Sequence, residues 1–254
     1  MDAQAENLDL TPSCPSPQPP TMYAVLFDID GTLLLTAGAG MKAFAAAFAE
    51  LFQVRQLSGD IPFAGRSDRA IALDLMRVHG IEPSAEHWQL FVESYPQHLA
   101  TALPQCAGAV MPGVHELLDA LQRRSHVLVG LLTGNLRSGA TRKLAHYGLA
   151  DRFKFGGFGD LWTDRNQIAL EARAQACYHA RGKLDGVMVI GDTVHDIRCA
   201  RSIGACAVAV PTGNTSADQL RAQAPDLVVG DLTELEPLLE RIHENGATPF
   251  ETDR

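Results

Sequence analysis

The sequence has no CxxC cysteine pair, no excess of basic residues and no long hydrophobic run. Its five cysteines are scattered over 254 residues, an odd and unpatterned set that is typical of reduced thiols rather than of a disulfide framework. They are Cys14, Cys106, Cys177, Cys199 and Cys206. We therefore expect a cytoplasmic protein, whose length suffices to bury a core without disulfide support.

The charge balance excludes further classes of protein. The 21 basic and 30 acidic residues give a net charge of −9, which argues against a nucleic-acid partner or an anionic membrane surface. No apolar run approaches the ~18 residues that a membrane span requires. Partners of either kind are not expected, and the sequence leaves the oligomeric state open.

The two ends of the chain read differently from its middle. Residues 1–21 are rich in proline, serine and glutamine, and they lack the basic and apolar regions of a secretory signal. We expect a disordered tail there, and a second short tail over residues 245–254.

Short β-rich runs alternate with helical patterns along most of the chain. The β-rich runs span 23–28, 126–134, 154–159, 186–192, 206–213 and 226–231, and the helical patterns span 113–124, 137–148, 165–180, 194–204 and 216–224. Most of the runs are continuously apolar, as is typical of strands covered on both faces. The alternation predicts an α/β fold with a Rossmann-like, doubly wound parallel sheet.

One segment interrupts this alternation. Between residues 35 and 107 the sequence shows only helical patterns, over 37–52, 66–80 and 84–103. We expect an α-helical cap over 35–107, inserted into a core formed by 22–34 and 108–244. Because ligands bind beyond the carboxyl ends of parallel strands, a cap leaving the first strand would close over that edge.

Polar residues follow four of the predicted strands. They are Asp28 and Asp30 after the first strand, Thr133, Gly134 and Asn135 after the second, Arg165 after the third, and Asp192 with Asp196 after the fourth. Clustered carboxylates suit Mg²⁺, and a hydroxyl before a helix N-terminus suits a phosphate group. A fixed cation would balance both charges. The set indicates phosphoryl transfer, which needs little beyond positioning and charge neutralisation.

Three stretches, FDIDGTLL, LLTGN and GDTVHD, resemble in order and spacing the signature motifs of the haloacid dehalogenase (HAD) superfamily. The resemblance covers about residues 22–239, and the helical insert makes the chain similar to small-cap (C1-type) members such as phosphoglycolate phosphatases. It implies a Mg²⁺-dependent phosphatase that hydrolyses a small phosphorylated metabolite through an aspartyl phosphate, phosphoglycolate being one candidate substrate.

The resemblance also implies roles for the acidic residues. Asp28 would be the nucleophile and a metal ligand, and Asp30 the general acid/base, binding the metal through its backbone carbonyl. Asp192 would be the third protein ligand of the metal. Asp196 would be either a ligand or an acid that acts through water, unless it serves only as a first-turn acid of its helix.

Further positions would hold the phosphoryl group. Thr133 would donate its hydroxyl, with the backbone N–H groups of Asn135 and Gly31 nearby, unless it is only a helix cap. The turn residues Thr32 and Gly134 are expected in the same substrate site.

Two positions depart from the family pattern or extend it. The third motif of the family is normally a lysine, whereas the best-spaced cation here is Arg165, because Lys154 lies inside the third strand run. Arginine keeps its charge at any working pH and offers a planar fork to carboxylates and phosphates. In the predicted cap, Arg66 is a candidate for binding an anionic substrate group, the alternative being an ion pair with Asp68.

Other functions use similar parts. A phosphomutase similar to β-phosphoglucomutase would share the site, but its cap would have to retain a bisphosphate intermediate. A 2-haloacid dehalogenase would use the same nucleophile without metal, and Asp30 counts against it. The non-enzymatic alternative is a receiver-like phospho-acceptor switch, although receivers are typically half this length and carry no cap. A calcium loop at Asp28 and Asp30 is disfavoured, because Ala39 stands where such a loop needs an acid.

Overall fold

The computed structural model describes residues 22–182 and 184–244. Its strands are β1 (Met22–Phe27), β2 (Leu34–Leu35), β3 (Ala109–Val110), β4 (Val127–Leu132), β5 (Gly156–Gly157), β6 (Leu184–Gly191), β7 (Cys206–Ala209) and β8 (Leu227–Val228). Its helices are α1 (Ala39–Phe52), α2 (Asp68–Val78), α3 (Ala85–Ala102), α4 (Val114–Gln122), α5 (Arg137–His146), α6 (Arg165–His179), α7 (Val194–Ser202), α8 (Ala217–Arg221) and α9 (Leu235–Glu244). Both predicted tails lie outside the described residues.

Six strands form one parallel sheet in the order β5-β4-β1-β6-β7-β8. Alternate residues of β1 point to opposite faces, so that Val25 and Phe27 belong to one hydrophobic core and Ala24 and Leu26 to another. Helices α4, α5 and α9 cover the first face, and α6, α7 and α8 cover the second. The predicted doubly wound fold is confirmed.

The helical insert, comprising α1, α2 and α3, lies between β2 and β3. It has a hydrophobic core of its own, in which stacked aromatic rings of Trp88, Phe91 and Tyr95 pack against Phe44. Serine side chains cap two of its helices, Ser67 for α2 and Ser84 for α3. The predicted helical cap is therefore present, and its exact boundaries stay a prediction.

Several elements differ from the sequence-based expectation. Strands β5 and β8 have two residues each, because at the sheet edges the apolar runs extend beyond the paired ladder. The antiparallel pair β2–β3, through which the chain leaves and re-enters the core, was not predicted. Helix α9 was also missed, although Leu235, Leu238, Leu239 and Ile242 have helical spacing. No described helix combines the length and apolarity needed to cross a membrane.

The aromatic core of the insert should dominate its stability. Phe91 is fully buried on α3, whereas its neighbour Leu90 is 40% exposed on the same helix. We expect Phe91→Ala to lower the free energy of unfolding by about 3–5 kcal/mol, and Leu90→Ala by less than about 1 kcal/mol. Urea denaturation measures both. Equal losses in the two variants would contradict this assignment of the core.

Candidate active site

Three buried carboxylates meet at the carboxyl edge of the sheet. Asp28 follows β1, Asp192 follows β6, and Asp196 lies in the first turn of α7. One carboxylate oxygen from each lies within 4.8 Å of the others. The predicted convergence of these residues is therefore observed, and the cluster has the hard oxygen donors that a divalent cation prefers.

Burial and mutual repulsion disfavour the ionised form of the carboxyl groups in this cluster. The pKa of Asp28 rises to about 7, through its burial first and the Asp196 carboxylate second, while Arg165 opposes the rise. The pKa of Asp192 rises to about 8 through burial and through Asp196 and Asp28. A cation bound among these carboxylates would favour the ionised form of each.

Arg165, at the first position of α6, supplies a buried cation to the cluster. Its Nη2 lies 2.5 Å from Asp196 Oδ1 and 3.6 Å from Asp28 Oδ1. Burial alone would lower the pKa of the guanidinium, but Asp196 and Asp28 outweigh it and hold the pKa above its usual value. Lys154, the alternative cation, lines a separate cavity beside Phe153.

Both carboxylate oxygens of Asp196 accept hydrogen bonds from other groups of the protein. Oδ1 accepts from Arg165, and Oδ2 accepts from the hydroxyl of Thr193 at 2.6 Å and from its backbone N–H at 3.0 Å. The Thr193 hydroxyl in turn accepts from the Asp196 N–H, which completes a capping box for α7. This geometry favours a role in holding Arg165 over direct metal ligation.

A second polar network surrounds Thr133, which follows β4. The Thr133 hydroxyl accepts from the backbone N–H of Asn135 at 3.3 Å and from its side-chain Nδ2 at 2.8 Å. Because a hydroxyl has two lone pairs and one proton, the O–H of Thr133 is left to donate. Asn135 Nδ2 also donates to Asp30 Oδ2 at 2.8 Å.

The turn after β1 requires a glycine. Gly31 has a φ of +87°, and a Cβ atom there would collide with the Asp192 carboxylate. Its N–H, predicted near the phosphoryl group, donates to the Leu34 carbonyl at 2.9 Å. Thr32 is buried beside it and donates to Asp192 Oδ1 at 3.4 Å.

A cavity of about 440 Å³ opens between the sheet edge and the helical insert. Its polar floor includes Asp28, Asp30, Arg165 and Asp192, and its apolar wall comes from the insert. The wall residues are Met41, Phe44, Phe63, Ile71 and Tyr95. The cavity therefore places the carboxylates beneath the cap, as the position of the insert predicted.

The loop before α2 docks against the core at the rim of this cavity. The N–H of Asp68 donates to the Gly134 carbonyl at 2.7 Å, and Asp68 Oδ2 accepts from the N–H of Leu136 at 2.8 Å. A side chain on Gly134 would collide with the backbone of Arg66. Arg66 lines the cavity and forms an ion pair with Asp74 of α2, rather than with Asp68.

Sequence reasoning missed Lys143, the residue that contacts Asp30. This lysine lies on α5, and its buried Nζ donates to Asp30 Oδ2 at 2.5 Å. A signal was available, because Lys143 occupies the buried stripe that also contains Ala140 and Leu144. A lysine at such a position is rare unless its charge is paired.

The fold and the site define a class of protein: an α/β enzyme with an aspartate cluster at the carboxyl edge of its sheet and a helical cap over it. The sequence matches the model of the haloacid dehalogenase-like hydrolase family over residues 25–201. The chain belongs to this family, and the resemblance read from its motifs is confirmed.

Relatives of the chain carry phosphatase names. It is 29% identical over 223 residues to a probable phosphatase, IndB, of Dickeya dadantii, covering 83% of this chain and 90% of that one. It is also 29% identical over 217 residues to the phosphoglycolate phosphatase of Synechococcus elongatus, covering 81% and 91%. The predicted enzyme class, a HAD-type phosphatase, is confirmed at this level.

The fold has solved counterparts. The structure of CbbY from Rhodobacter sphaeroides in complex with phosphate matches with a TM-score of 0.67 at 16% identity, over 84% of this chain and 95% of that one. This likeness concerns the fold alone.

The docked Asp68 should make stability depend on pH. Burial raises its pKa to about 6, although Lys143 opposes the rise. The folded state therefore binds the carboxyl proton of Asp68 more tightly than the unfolded state does. Because of this difference, the free energy of unfolding falls as the pH rises from about 4 through 6. Asp68→Asn is neutral and can still accept from Leu136. It should be more stable than wild type at pH 7.5, by roughly 2–3 kcal/mol, and equal near pH 4.

Urea denaturation at the two pH values measures this difference. Asp218→Asn, on an exposed residue, should show no such change with pH. An Asp68→Asn advantage that is the same at both pH values would contradict the explanation.

Proposed function

We propose that the chain is a Mg²⁺-dependent phosphatase that hydrolyses a small phosphomonoester through an aspartyl-phosphate intermediate. The observation that carries this proposal is the position of Asp28. Its carboxylate lies at the sheet edge on the floor of the capped cavity, with the Arg165 guanidinium 3.6 Å away and Asp30 and Asp192 lining the same cavity.

The charges of the site support a divalent metal. With all three carboxylates ionised, the single guanidinium would leave a surplus of two negative charges in a buried cluster, and a divalent cation would balance that surplus. Asp28, Asp192 and the backbone carbonyl of Asp30 would hold Mg²⁺, while Asp196 holds Arg165. When bound, the ion would neutralise charge on the transferring phosphoryl group and keep Asp28 ionised.

The protein's own groups account for two chemical steps. The Asp28 carboxylate attacks phosphorus, and the bond between phosphorus and the leaving oxygen breaks while Asp30 gives that oxygen a proton. Asp30 then accepts a proton from the water that attacks the aspartyl phosphate, which releases inorganic phosphate and restores Asp28. The Thr133 hydroxyl and Arg165 stabilise the charged phosphoryl oxygens during both steps.

The cavity supports a small substrate. Its volume of about 440 Å³ and its cover of helices suit a phosphorylated metabolite enclosed away from water. Phosphoglycolate is one candidate, supported by the name of a relative. Arg66, at the cavity wall, would bind the anionic group of such a substrate by exchanging its ion pair with Asp74.

Removing the nucleophile should abolish turnover. We expect wild type to release phosphate from an aryl phosphate only with Mg²⁺, and Asp28→Asn to lower kcat by about 10³-fold or more, because an amide cannot form the phosphoenzyme. Asp218→Asn, the same change at an exposed residue, should keep full activity. Activity that survives Asp28→Asn would refute the mechanism.

The products distinguish hydrolysis from phosphomutase chemistry. A panel of small phosphates, including phosphoglycolate and hexose phosphates, should give inorganic phosphate in stoichiometric amounts. Conversion of a sugar phosphate into its isomer without release of phosphate would favour the mutase.

Metal binding has a readout that does not depend on activity. Because Mg²⁺ would bind the folded cluster and not the unfolded chain, it should raise the Tm of wild type by a few degrees. Asp192→Asn should lose most of this shift, whereas Asp218→Asn should keep it. Equal shifts in all three proteins would show that the ion binds elsewhere.

A further inference from the structure

The ammonium group of Lys143 is a second buried cation at the sheet edge, separate from Arg165. The side chain enters the site from α5, and only 4% of the residue is exposed. Its Nζ donates to Asp30 Oδ2 at 2.5 Å and to Asn135 Oδ1 at 2.6 Å. Burying an ammonium group is costly unless the group is paired and hydrogen-bonded, so the position of Lys143 depends on these two acceptors.

The first consequence concerns the orientation of Asn135. An ammonium group can only donate hydrogen bonds, so it draws the amide oxygen of Asn135 towards itself. The amide nitrogen is thereby turned to two acceptor oxygens, Asp30 Oδ2 and Thr133 Oγ1, each at 2.8 Å. With the amide reversed, its oxygen would face the Asp30 carboxylate.

The second consequence concerns Asp30 itself. Its Oδ2 accepts from both Lys143 and Asn135 Nδ2. Among the described residues, no hydrogen bond to Asp30 Oδ1 is observed, and Asp30 is one of the residues that line the cavity. The two donors therefore fix the carboxyl group by one oxygen and leave Oδ1 to exchange a proton with the substrate.

The two cations contact different carboxylates. Arg165 contacts Asp28 and Asp196, whereas Lys143 contacts Asp30. We propose that Lys143 is a positioning residue for the acid/base step: it orients Asp30 directly, and Thr133 through Asn135. This inference rests on the proposed function, in which Asp30 protonates the leaving oxygen.

Two aryl phosphates of similar shape test the proposal. Phenyl phosphate has a poor leaving group that needs the proton, whereas 4-nitrophenyl phosphate has a good one that needs it little. The ratio kcat/KM covers the steps up to formation of the aspartyl phosphate, so it isolates proton donation from the later attack of water.

Lys143→Met removes the ammonium group and keeps most of the apolar stem. We expect kcat/KM to fall about 100-fold for phenyl phosphate and less than about 10-fold for 4-nitrophenyl phosphate, since general acid catalysis contributes 10²–10⁴-fold. Lys143→Gln can still donate a hydrogen bond to Asp30, so its kcat/KM for phenyl phosphate should lie between the values of wild type and Lys143→Met. Lys42→Met, the same change at a lysine outside the cavity, should leave kcat/KM unchanged for both substrates.

If Lys143 had a merely structural role, its substitution would lower kcat/KM for both substrates by the same factor, and that result would overturn the proposal. No loss with either substrate would overturn it as well. Circular dichroism and a thermal melt report whether Lys143→Met folds. If it does not fold, Lys143→Gln must show a larger loss of kcat/KM with phenyl phosphate than with 4-nitrophenyl phosphate. Failure of the proposed function gives a different result, because wild type would then hydrolyse neither ester with Mg²⁺.

Discussion

The pairing of buried carboxylates with a small number of buried cations is the constraint on which the site depends. Asp28, Asp192 and Asp196 lie within a few ångströms of one another at the sheet edge, where burial raises the pKa of Asp28 and of Asp192. Such a cluster is stable in its ionised form only with compensating positive charge. Arg165 supplies one charge, and a divalent cation would supply the rest.

The helical insert takes part in the same arrangement. Its Asp68 accepts a hydrogen bond from the backbone of Leu136 at the start of α5, the helix whose Lys143 reaches Asp30. The insert therefore contacts the segment that carries Asn135, and the glycine at position 134 permits this close approach. The contact with the insert and the hydrogen bonds that hold Asp30 thus come from one stretch of chain, residues 133–143.

Much of the fold and several site residues could be predicted from local patterns. Continuous apolar runs that end in polar residues indicated buried parallel strands, and their common carboxyl edge brought Asp28, Thr133, Arg165 and Asp192 together. The choice of Arg165 over Lys154 followed from the spacing of the family's third motif and from the position of Lys154 inside a strand run, and the contact with Asp28 agrees with it. The short strands β2 and β3 escaped prediction, because two residues carry no period and their pairing joins positions that are distant in sequence.

The sequence by itself determined most of the succession of strands and helices along the chain, the helical insert and the residues that follow each main strand, because these depend on spacing between near neighbours. Only the tertiary structure decided how the charges pair. The sequence suggested Asp68 as an ion-pair partner for Arg66, whereas the structure pairs Arg66 with Asp74, and in the sequence Lys143 is one polar residue of an ordinary helix. The periodicity of a helix can show that a lysine is buried, but its partner more than a hundred positions away, as for Lys143 with Asp30, depends on how the elements pack in space.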